Sequence, residues 1–245
     1  MNNLPDFGGK RALVVGGSSG IGNGIAQAFR AQGADVHVWG TRASAADYAG
    51  TEGSDLSGLH YSQVDVSDFE AIAGWPIPFD SLDVLILCQG IVLYRRKEFE
   101  TAGFRNVVDV NLNSLMACAE KFLPLLAAAK GSLLIGSSGA AFQATMGNPA
   151  YGASKTGAMG LTRSLGQAWA PLGIRVNGIA PGMVPTKMTE VTTKNPERAE
   201  GTLQRIPLGR FGSPQDMAGV ALFLASPMAA YVVGQTIPVD GGLIL

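Results

Sequence analysis

Tyr151 and Lys155 stand four residues apart in Ala150-Tyr151-Gly152-Ala153-Ser154-Lys155. On a helix, positions i and i+4 share a face, so a phenol and an ammonium are presented together. A nearby ammonium favours phenolate over phenol and lowers the tyrosine pKa. That suits a group that gives and takes a proton near neutral pH. Such a pair alone is common on helices. Here Ser137-Ser138-Gly139 closes an apolar run just upstream, where a serine can hydrogen-bond a substrate oxygen beside the tyrosine. Routine turn chemistry is the other reading of both serines.

A second group suits anions. Val15-Gly16-Gly17-Ser18-Ser19-Gly20-Ile21-Gly22 follows an apolar run and opens a helical pattern. Gly17, Gly20 and Gly22 let the chain turn tightly and let a pyrophosphate approach the backbone, where free N–H groups and the helix dipole hold it. The spacing is GxxxGxG rather than GxGxxG. The next strand ends in Trp39-Gly40-Thr41-Arg42, with no carboxylate before Asp47. A carboxylate there reads a ribose 2′-hydroxyl. Thr41 and Arg42 offer donors to a 2′-phosphate instead, so NADP(H) is favoured and NAD(H) is the second choice. The alternative reading of Arg42 is a solvated loop charge.

These groups need elements to position them. Apolar runs at Arg11 to Val15, Ala34 to Trp39, Leu59 to Val66, Leu82 to Cys88, Ser132 to Gly136, Arg175 to Ala180 and Gln235 to Val239 read as strands. Helical patterns lie between them: Ile21 to Ala31, a short piece at Ala43 to Ala49, Asp68 to Ala73, about 104–129, Ala150 to Trp169, and Pro214 to Ala225. Shorter helices are expected at Val184 to Thr192 and Pro196 to Gln204. The alternation predicts an α/β fold: a single domain spanning 1–245, with a doubly wound, mostly parallel seven-stranded sheet flanked by helices, Rossmann-like. Ligands of such sheets lie outside the C-terminal strand ends.

Composition excludes several classes. Net charge is −1 and no basic run exceeds Arg95-Arg96-Lys97, so no nucleic acid is expected as partner. No stretch reaches 18 apolar residues, and Met1 to Lys10 lacks an apolar signal core, so no membrane is expected either. Two cysteines, Cys88 and Cys118, fit a reducing compartment, and the expected location is cytoplasmic. Only two histidines, His37 and His60, argue against a histidine-rich metal site, and no metal is expected.

With these motifs in this order, the chain resembles the short-chain dehydrogenase/reductase family in its compact subclass, from Lys10 to Gly242. The family carries TGxxxGxG, an Asn-Ala-Gly segment, an asparagine, a serine ahead of YxxxK, a Pro-Gly turn and a late Val-Asp-Gly-Gly. This chain has Gly16 to Gly22, Asn111 in Val110-Asn111-Leu112, Ser138, Tyr151, Lys155, Pro181-Gly182 and Val239-Asp240-Gly241-Gly242. Gly16 stands where threonine is usual, and Cys88-Gln89-Gly90 replaces Asn-Ala-Gly.

The resemblance implies an NAD(P)-dependent oxidoreductase moving a hydride between nicotinamide and a ketone or secondary alcohol. Tyr151 would exchange a proton with the substrate oxygen and Ser138 would orient that oxygen. Lys155 would lower the tyrosine pKa and hold the nicotinamide ribose, and Asn111 would hold a water linking Lys155 to solvent. Asp65, with Val66 beside it, would read the adenine; an Asx-type turn is the other reading. Gln89 and Gly90 would line the cofactor, and Pro181, Gly182, Val184 and Thr186 would hold its carboxamide and phosphate.

Candidate pocket residues are mostly apolar: Leu93, Ala140, Phe142, Met146, Met183, Met188 and Val191. Residues 183–210 form an expected lid. A neutral or hydrophobic small-molecule substrate follows. Reduction of 3-oxoacyl groups on acyl carrier protein ranks lower, because the family's docking arginines are replaced around Lys130 and in Pro171-Leu172-Gly173. A sugar or polyol dehydrogenase is a further alternative, and intact Asn111, Ser138, Tyr151 and Lys155 weigh against a cofactor-binding regulator without turnover. The resemblance implies a homotetramer in which the helices at about 104–129 and 150–169 meet symmetry mates, with Ala153, Ala158 and Gly160 permitting close approach.

Overall fold

The central apolar runs become strands buried from both sides, while the edge strands are partly exposed. In the computed structural model, which describes residues 4–245, seven strands form one sheet in the order β3-β2-β1-β4-β5-β6-β7. They are β1 (Arg11–Val15), β2 (Asp35–Gly40), β3 (His60–Gln63), β4 (Val84–Leu87), β5 (Ser132–Gly136), β6 (Arg175–Pro181) and β7 (Thr236–Val239). Every neighbouring pair is parallel, so the expected sheet has no antiparallel edge. Alternate side chains feed two cores. Leu13, Val15, Leu85, Leu87, Leu133 and Val176 meet Phe122, Leu126 and Trp169 on one face. Val14, Val36, Val38, Ile86 and Leu134 meet Ile25, Phe29 and Leu222 on the other.

The helices are α1 (Gly20–Ala31), α2 (Phe69–Gly74), α3 (Thr101–Val108), α4 (Ser114–Ala129), α5 (Pro149–Trp169), α6 (Glu190–Thr193), α7 (Pro196–Leu203) and α8 (Pro214–Ala225). Because β1 lies between β2 and β4, the chain changes winding direction there. Ligand crevices open at such a switch point, and the glycine turn and Cys88-Gln89-Gly90 follow its two strands.

Several expected boundaries shift for local reasons. The helix expected over 104–129 starts at Thr101 and is split by a π-turn at Asp109–Asn113. The stretch Thr101–Ala129 is long and apolar enough to cross a membrane, but Leu115, Cys118, Ala119, Phe122 and Leu126 are buried within the fold. The piece at Ala43 to Ala49 tightens to a 3₁₀ turn, Ala45–Tyr48, closed by reciprocal Ser44–Asp47 hydrogen bonds. β3 ends at Gln63, because Asp65 already turns the chain by accepting from Ser67. The expected helix Val184 to Thr192 resolves into a 3₁₀ turn, Lys187–Thr189, followed by α6. On α5, Ala153 is exposed but Ala158 is fully buried in this chain's own core, so Ala158 cannot offer a surface to a symmetry mate.

Candidate active site

The glycine turn is built as its spacing requires. Gly16 has φ +77° and Gly20 φ +57°, a region that favours glycine. A Cβ on Gly16 would come within 2.9 Å of the Gln89 nitrogen. Counted back from Gly20 and Gly22, TGxxxGxG places its first glycine at Gly16 and Val15 in threonine's position, which corrects the expectation at 16; the absent side chain there leaves room for the backbone at 88–89. A Cβ on Gly22 would run into the Gly16 carbonyl, so α1 packs close behind the turn. Gly17 and Ser18 are buried, whereas Ser19 is exposed at the start of α1 and makes no capping hydrogen bond with its side chain. Ile21 packs against the core under α1. A Cβ on Gly20 would reach 3.2 Å from Thr186, which places Thr186 over the turn. The Gly17 and Gly20 N–H groups are taken by the Val14 and Gly53 carbonyls, so a pyrophosphate would be held by the other N–H groups of the turn and of the helix start.

The adenosine side is more heavily furnished. Arg42 stacks 4.4 Å from the Tyr48 ring centroid and donates to the Thr51 hydroxyl at 3.0 Å and to the Asp47 carbonyl. It is folded onto its own loop, which satisfies part of its guanidinium. Thr41 is exposed and its carbonyl accepts from Gln63. Beside Gly40 there is no room for a carboxylate: a Cβ there would lie 2.6 Å from both the Ser18 hydroxyl and the Tyr48 hydroxyl. Asp65 is exposed and accepts from the Ser67 N–H at 2.9 Å and its hydroxyl at 2.7 Å, an Asx-type turn that uses one carboxylate oxygen. Val66 is buried.

At the reacting centre, a Cβ on Gly90 would lie 3.4 Å from both the Asn111 amide oxygen and the Lys155 ammonium. Asn111 is fully buried. Its oxygen accepts from the Ile91 N–H at 2.7 Å, while its amide donates to the Ile91 carbonyl at 2.9 Å and to the Ser154 hydroxyl at 3.2 Å. The π-turn presents it there. Lys155 donates to the Gly136 carbonyl at 2.9 Å, and burial brings its pKa down to about 8. Tyr151 departs from expectation. Burial pushes its phenol above the ordinary tyrosine value, the Ser138 hydroxyl pulls it partly back, and Tyr94 and Glu98 add to the rise. Burial outweighs Lys155, whose ammonium sits 5.8 Å from the ring centroid and turns to Gly136. The site thus holds a protonated phenol beside Ser138, poised to donate. Ser138 accepts from the Ala140 N–H at 3.1 Å, and its own hydroxyl proton remains free to donate. Ser137 is structural: it donates to the Lys155 carbonyl at 2.8 Å.

The expected role of Gln89 is corrected at the side chain. That amide turns into the core, donating to Ser114 at 3.1 Å, so only its backbone faces the crevice. Pro181 and Gly182 end β6, and a Cβ on Gly182 would lie 2.6 Å from Asp240. Val184 is buried and its carbonyl accepts from Thr189.

Three residues carry weight without any motif. Glu98 is 0% exposed. Its carboxylate accepts from the Leu93 N–H at 2.9 Å, the Asn148 amide at 3.2 Å and the Tyr151 N–H at 2.9 Å. It thereby locks the β4–α3 loop to the first turn of α5, where the helix dipole also favours an anion. Asn23 donates to the Gly17 carbonyl at 3.1 Å and exchanges hydrogen bonds with the Asp55 backbone, clamping the glycine turn. Tyr94 donates to the Met188 carbonyl at 2.6 Å and joins the β4–α3 loop to the expected lid. The signals were faint: a lone glutamate, an asparagine inside a helix and a loop tyrosine.

A doubly wound sheet with an anion cradle at its switch point and a Ser–Tyr–Lys group beyond β5 defines a nicotinamide-dependent oxidoreductase. Residues 15–244 match the family model described as enoyl-(acyl carrier protein) reductase. Among curated relatives, 3-oxoacyl-(acyl-carrier-protein) reductase FabG of Chlamydia muridarum is 35% identical over 96% of this chain and 97% of its own length. The 2-dehydro-3-deoxy-D-gluconate 5-dehydrogenase of Bacillus subtilis is 36% identical over 96% and 94%. Among solved structures, the Pseudomonas aeruginosa RhlG/NADP active-site complex superposes with a TM-score of 0.90 at 31% identity, covering 100% of both chains. The chain belongs to the short-chain dehydrogenase/reductase family, whose members carry out NAD(P)-dependent redox chemistry at CH–OH groups.

Proposed function

We propose that this enzyme binds NADP(H) in preference to NAD(H) and interconverts a ketone and a secondary alcohol on a free, neutral or hydrophobic small molecule. The observation that carries the reaction is the pairing of Asn111 and Lys155 beside Gly90, with the Tyr151 ring next to Lys155 and the Ser138 hydroxyl against the Tyr151 phenol. When bound, the nicotinamide cofactor supplies or accepts the hydride. The turn around Gly16, Gly17 and Gly20, with the start of α1, would hold its pyrophosphate, and Thr41 and Arg42 its 2′-phosphate. Lys155 would hold the ribose beside Gly90. Ser138 donates to the substrate oxygen and fixes it against the Tyr151 hydroxyl. Tyr151, protonated near neutral pH, gives its proton to that oxygen during reduction. The solved NADP complex of RhlG supports the cofactor preference.

The substrate class rests on the surface. The rim around the cleft carries Phe142 and Met146, both exposed, and the site wall holds no ion pair among the described residues. At the two places where the family docks acyl carrier protein, Lys130 is exposed and Leu172 presents an apolar side chain, which gives an acidic carrier little to grip. A second reading, a sugar-acid or polyol dehydrogenase, is favoured by Arg95 and Arg96, exposed in left-handed conformation on the loop that Tyr94 ties to the lid. A homotetramer built through α4 and α5 is part of the proposal.

The experiment is a panel of free ketones, secondary alcohols, polyols, sugar acids and a 3-oxoacyl carrier protein, each with NADPH or NADH, followed by nicotinamide absorbance. Turnover of free ketones with a higher kcat/KM for NADPH, and an Arg42→Ala variant whose KM rises for NADPH more than for NADH, is the expected outcome. A strong preference for the carrier-bound substrate would overturn the substrate reading.

A further inference from the structure

The two histidines of this chain lie 23 positions apart in sequence, yet the parallel register makes His37 of β2 and His60 of β3 direct partners. Their rings stack with centroids 4.6 Å apart and planes 24° from parallel. Asp35 is two residues before His37 on the same strand, so its side chain emerges on the same face. His60 Nε2 stands 3.0 Å from one Asp35 carboxylate oxygen and His37 Nε2 stands 3.8 Å from the other. One donor atom from each of the three residues lies within 4.8 Å of the others.

We propose that Asp35, His37 and His60 form a binding site for one divalent transition-metal ion of the zinc type. Two imidazoles and one carboxylate suit zinc, nickel or copper rather than calcium or magnesium, which take oxygen ligands. A tetrahedral zinc with bonds of about 2.0–2.1 Å needs its donors roughly 3.3 Å apart. The two imidazoles reach the two Asp35 oxygens at 3.0 and 3.8 Å, and one donor atom from each residue lies within 4.8 Å of the others, so small side-chain rotations bring the three donors to that spacing. A simple ion pair accounts for less of the geometry. It would use His60 and Asp35, but His37 Nε2 at 3.8 Å is beyond hydrogen-bonding distance and still converges on the same carboxylate.

The surroundings fit a site that is braced on one side and open on the other. The His37 side chain is 13% exposed and has the Phe79 ring edge-on at 5.0 Å, which fixes its plane. His60 is 64% exposed and Asp35 46%, leaving space for water to complete the coordination. Arg11 approaches Asp35 at 3.5 Å, orients the carboxylate from outside, and is itself spread over Asp80, the Ser81 carbonyl and the Phe79 ring. Outer partners of this kind orient metal ligands. The ion would tie the edge strand β3 to β2. It would do so about 10 Å along β2 from Gly40, on the side away from the glycine turn.

The test is calorimetric titration of chelator-treated, tag-free full-length protein with zinc chloride. The expected result is one saturable equivalent per chain in the micromolar range, lost in His60→Ala and in His37→Ala and weakened about tenfold or more in Asp35→Asn. Zinc should also raise the melting temperature of the wild type, as any ligand selective for the folded state does, and should not raise that of His60→Ala. Absence of saturable binding to the wild type would overturn the proposal. So would undiminished binding to a His60→Ala protein that still folds by circular dichroism. The exposed position of His60 makes that variant tolerable; if it did not fold, Asp35→Asn would decide by the same two readings.

Discussion

Replacing Glu98 by glutamine changes no volume and removes one acceptor. In the better of its two orientations the glutamine oxygen keeps the Leu93 N–H and the Asn148 amide, and its NH₂ faces the Tyr151 N–H. One buried donor is then left without an acceptor, at about 1–3 kcal/mol, and the negative charge at the start of α5 is lost, at about 0.3–1 kcal/mol. The sum is about 1–4 kcal/mol. For a chain of this size about 1 kcal/mol moves the melting temperature by roughly 2–4 °C, so a drop of roughly 3–16 °C is expected. The same contact positions the residue whose phenol donates the proton. A small misplacement of a reacting group costs up to about a hundredfold, so kcat should fall about tenfold to a hundredfold. Cofactor affinity should change less than about threefold, because the glycine turn hangs from β1 and α1 and not from α5. Differential scanning calorimetry, NADPH fluorescence titration and steady-state turnover read the three quantities. A Glu98→Gln protein that melts within a degree of the wild type and turns over normally would falsify the positioning role.

Three further outcomes follow from the same geometry. Tyr151→Phe should keep NADPH binding while turnover falls by about two or more orders of magnitude; near-normal turnover across a pH series would remove Tyr151 from the chemistry. Lys155 is an ammonium below about 8, while burial keeps the Tyr151 phenol protonated to higher pH. The kcat/KM for ketone reduction, which reports the free enzyme, should therefore decline as pH rises through about 8, and a profile flat well past that point would contradict the assignment. Gly40→Ala should weaken NADPH binding and lower stability by about 1–3 kcal/mol, since its Cβ would lie 2.6 Å from Ser18 and Tyr48. An aspartate there meets the same obstruction and should fail to create an NAD(H)-preferring enzyme, contrary to what strand-end chemistry alone implies; a clean switch of preference would refute the steric argument.

The sheet was legible because its signal is redundant. Buried runs such as Ala12–Val15 and Val84–Leu87 admit few readings, and the winding rule then sets where ligands bind. The Ser–Tyr–Lys spacing and the glycines were legible because each demands a residue type at a fixed offset. What escaped was long-range and unpatterned. Nothing near Glu98 in sequence announces that its carboxylate reaches Tyr151, 53 positions away. The Tyr151 pKa was misjudged because i,i+4 spacing fixes a shared face but not where the ammonium points, and Lys155 points to Gly136. The direction of the Gln89 side chain was not legible for a similar reason: it follows the space left beside Ser114.

The π-turn at Asp109–Asn113 has a consequence for how such a chain can change length. A π-turn is an α-helix carrying one surplus residue. Deleting a residue there would restore regular winding and leave α3 and α4 in nearly the same register, because the wider turn had absorbed the surplus residue, but the local bulge that carries Asn111 would be lost. Asn111 would swing away from Ile91 and Ser154, and Lys155 would lose its neighbour. Substitutions at Asp109 or Asn113 can be absorbed, but a one-residue indel cannot. Across descendants of this gene, insertions and deletions should leave the spacing from Gly90 to Asn111 untouched.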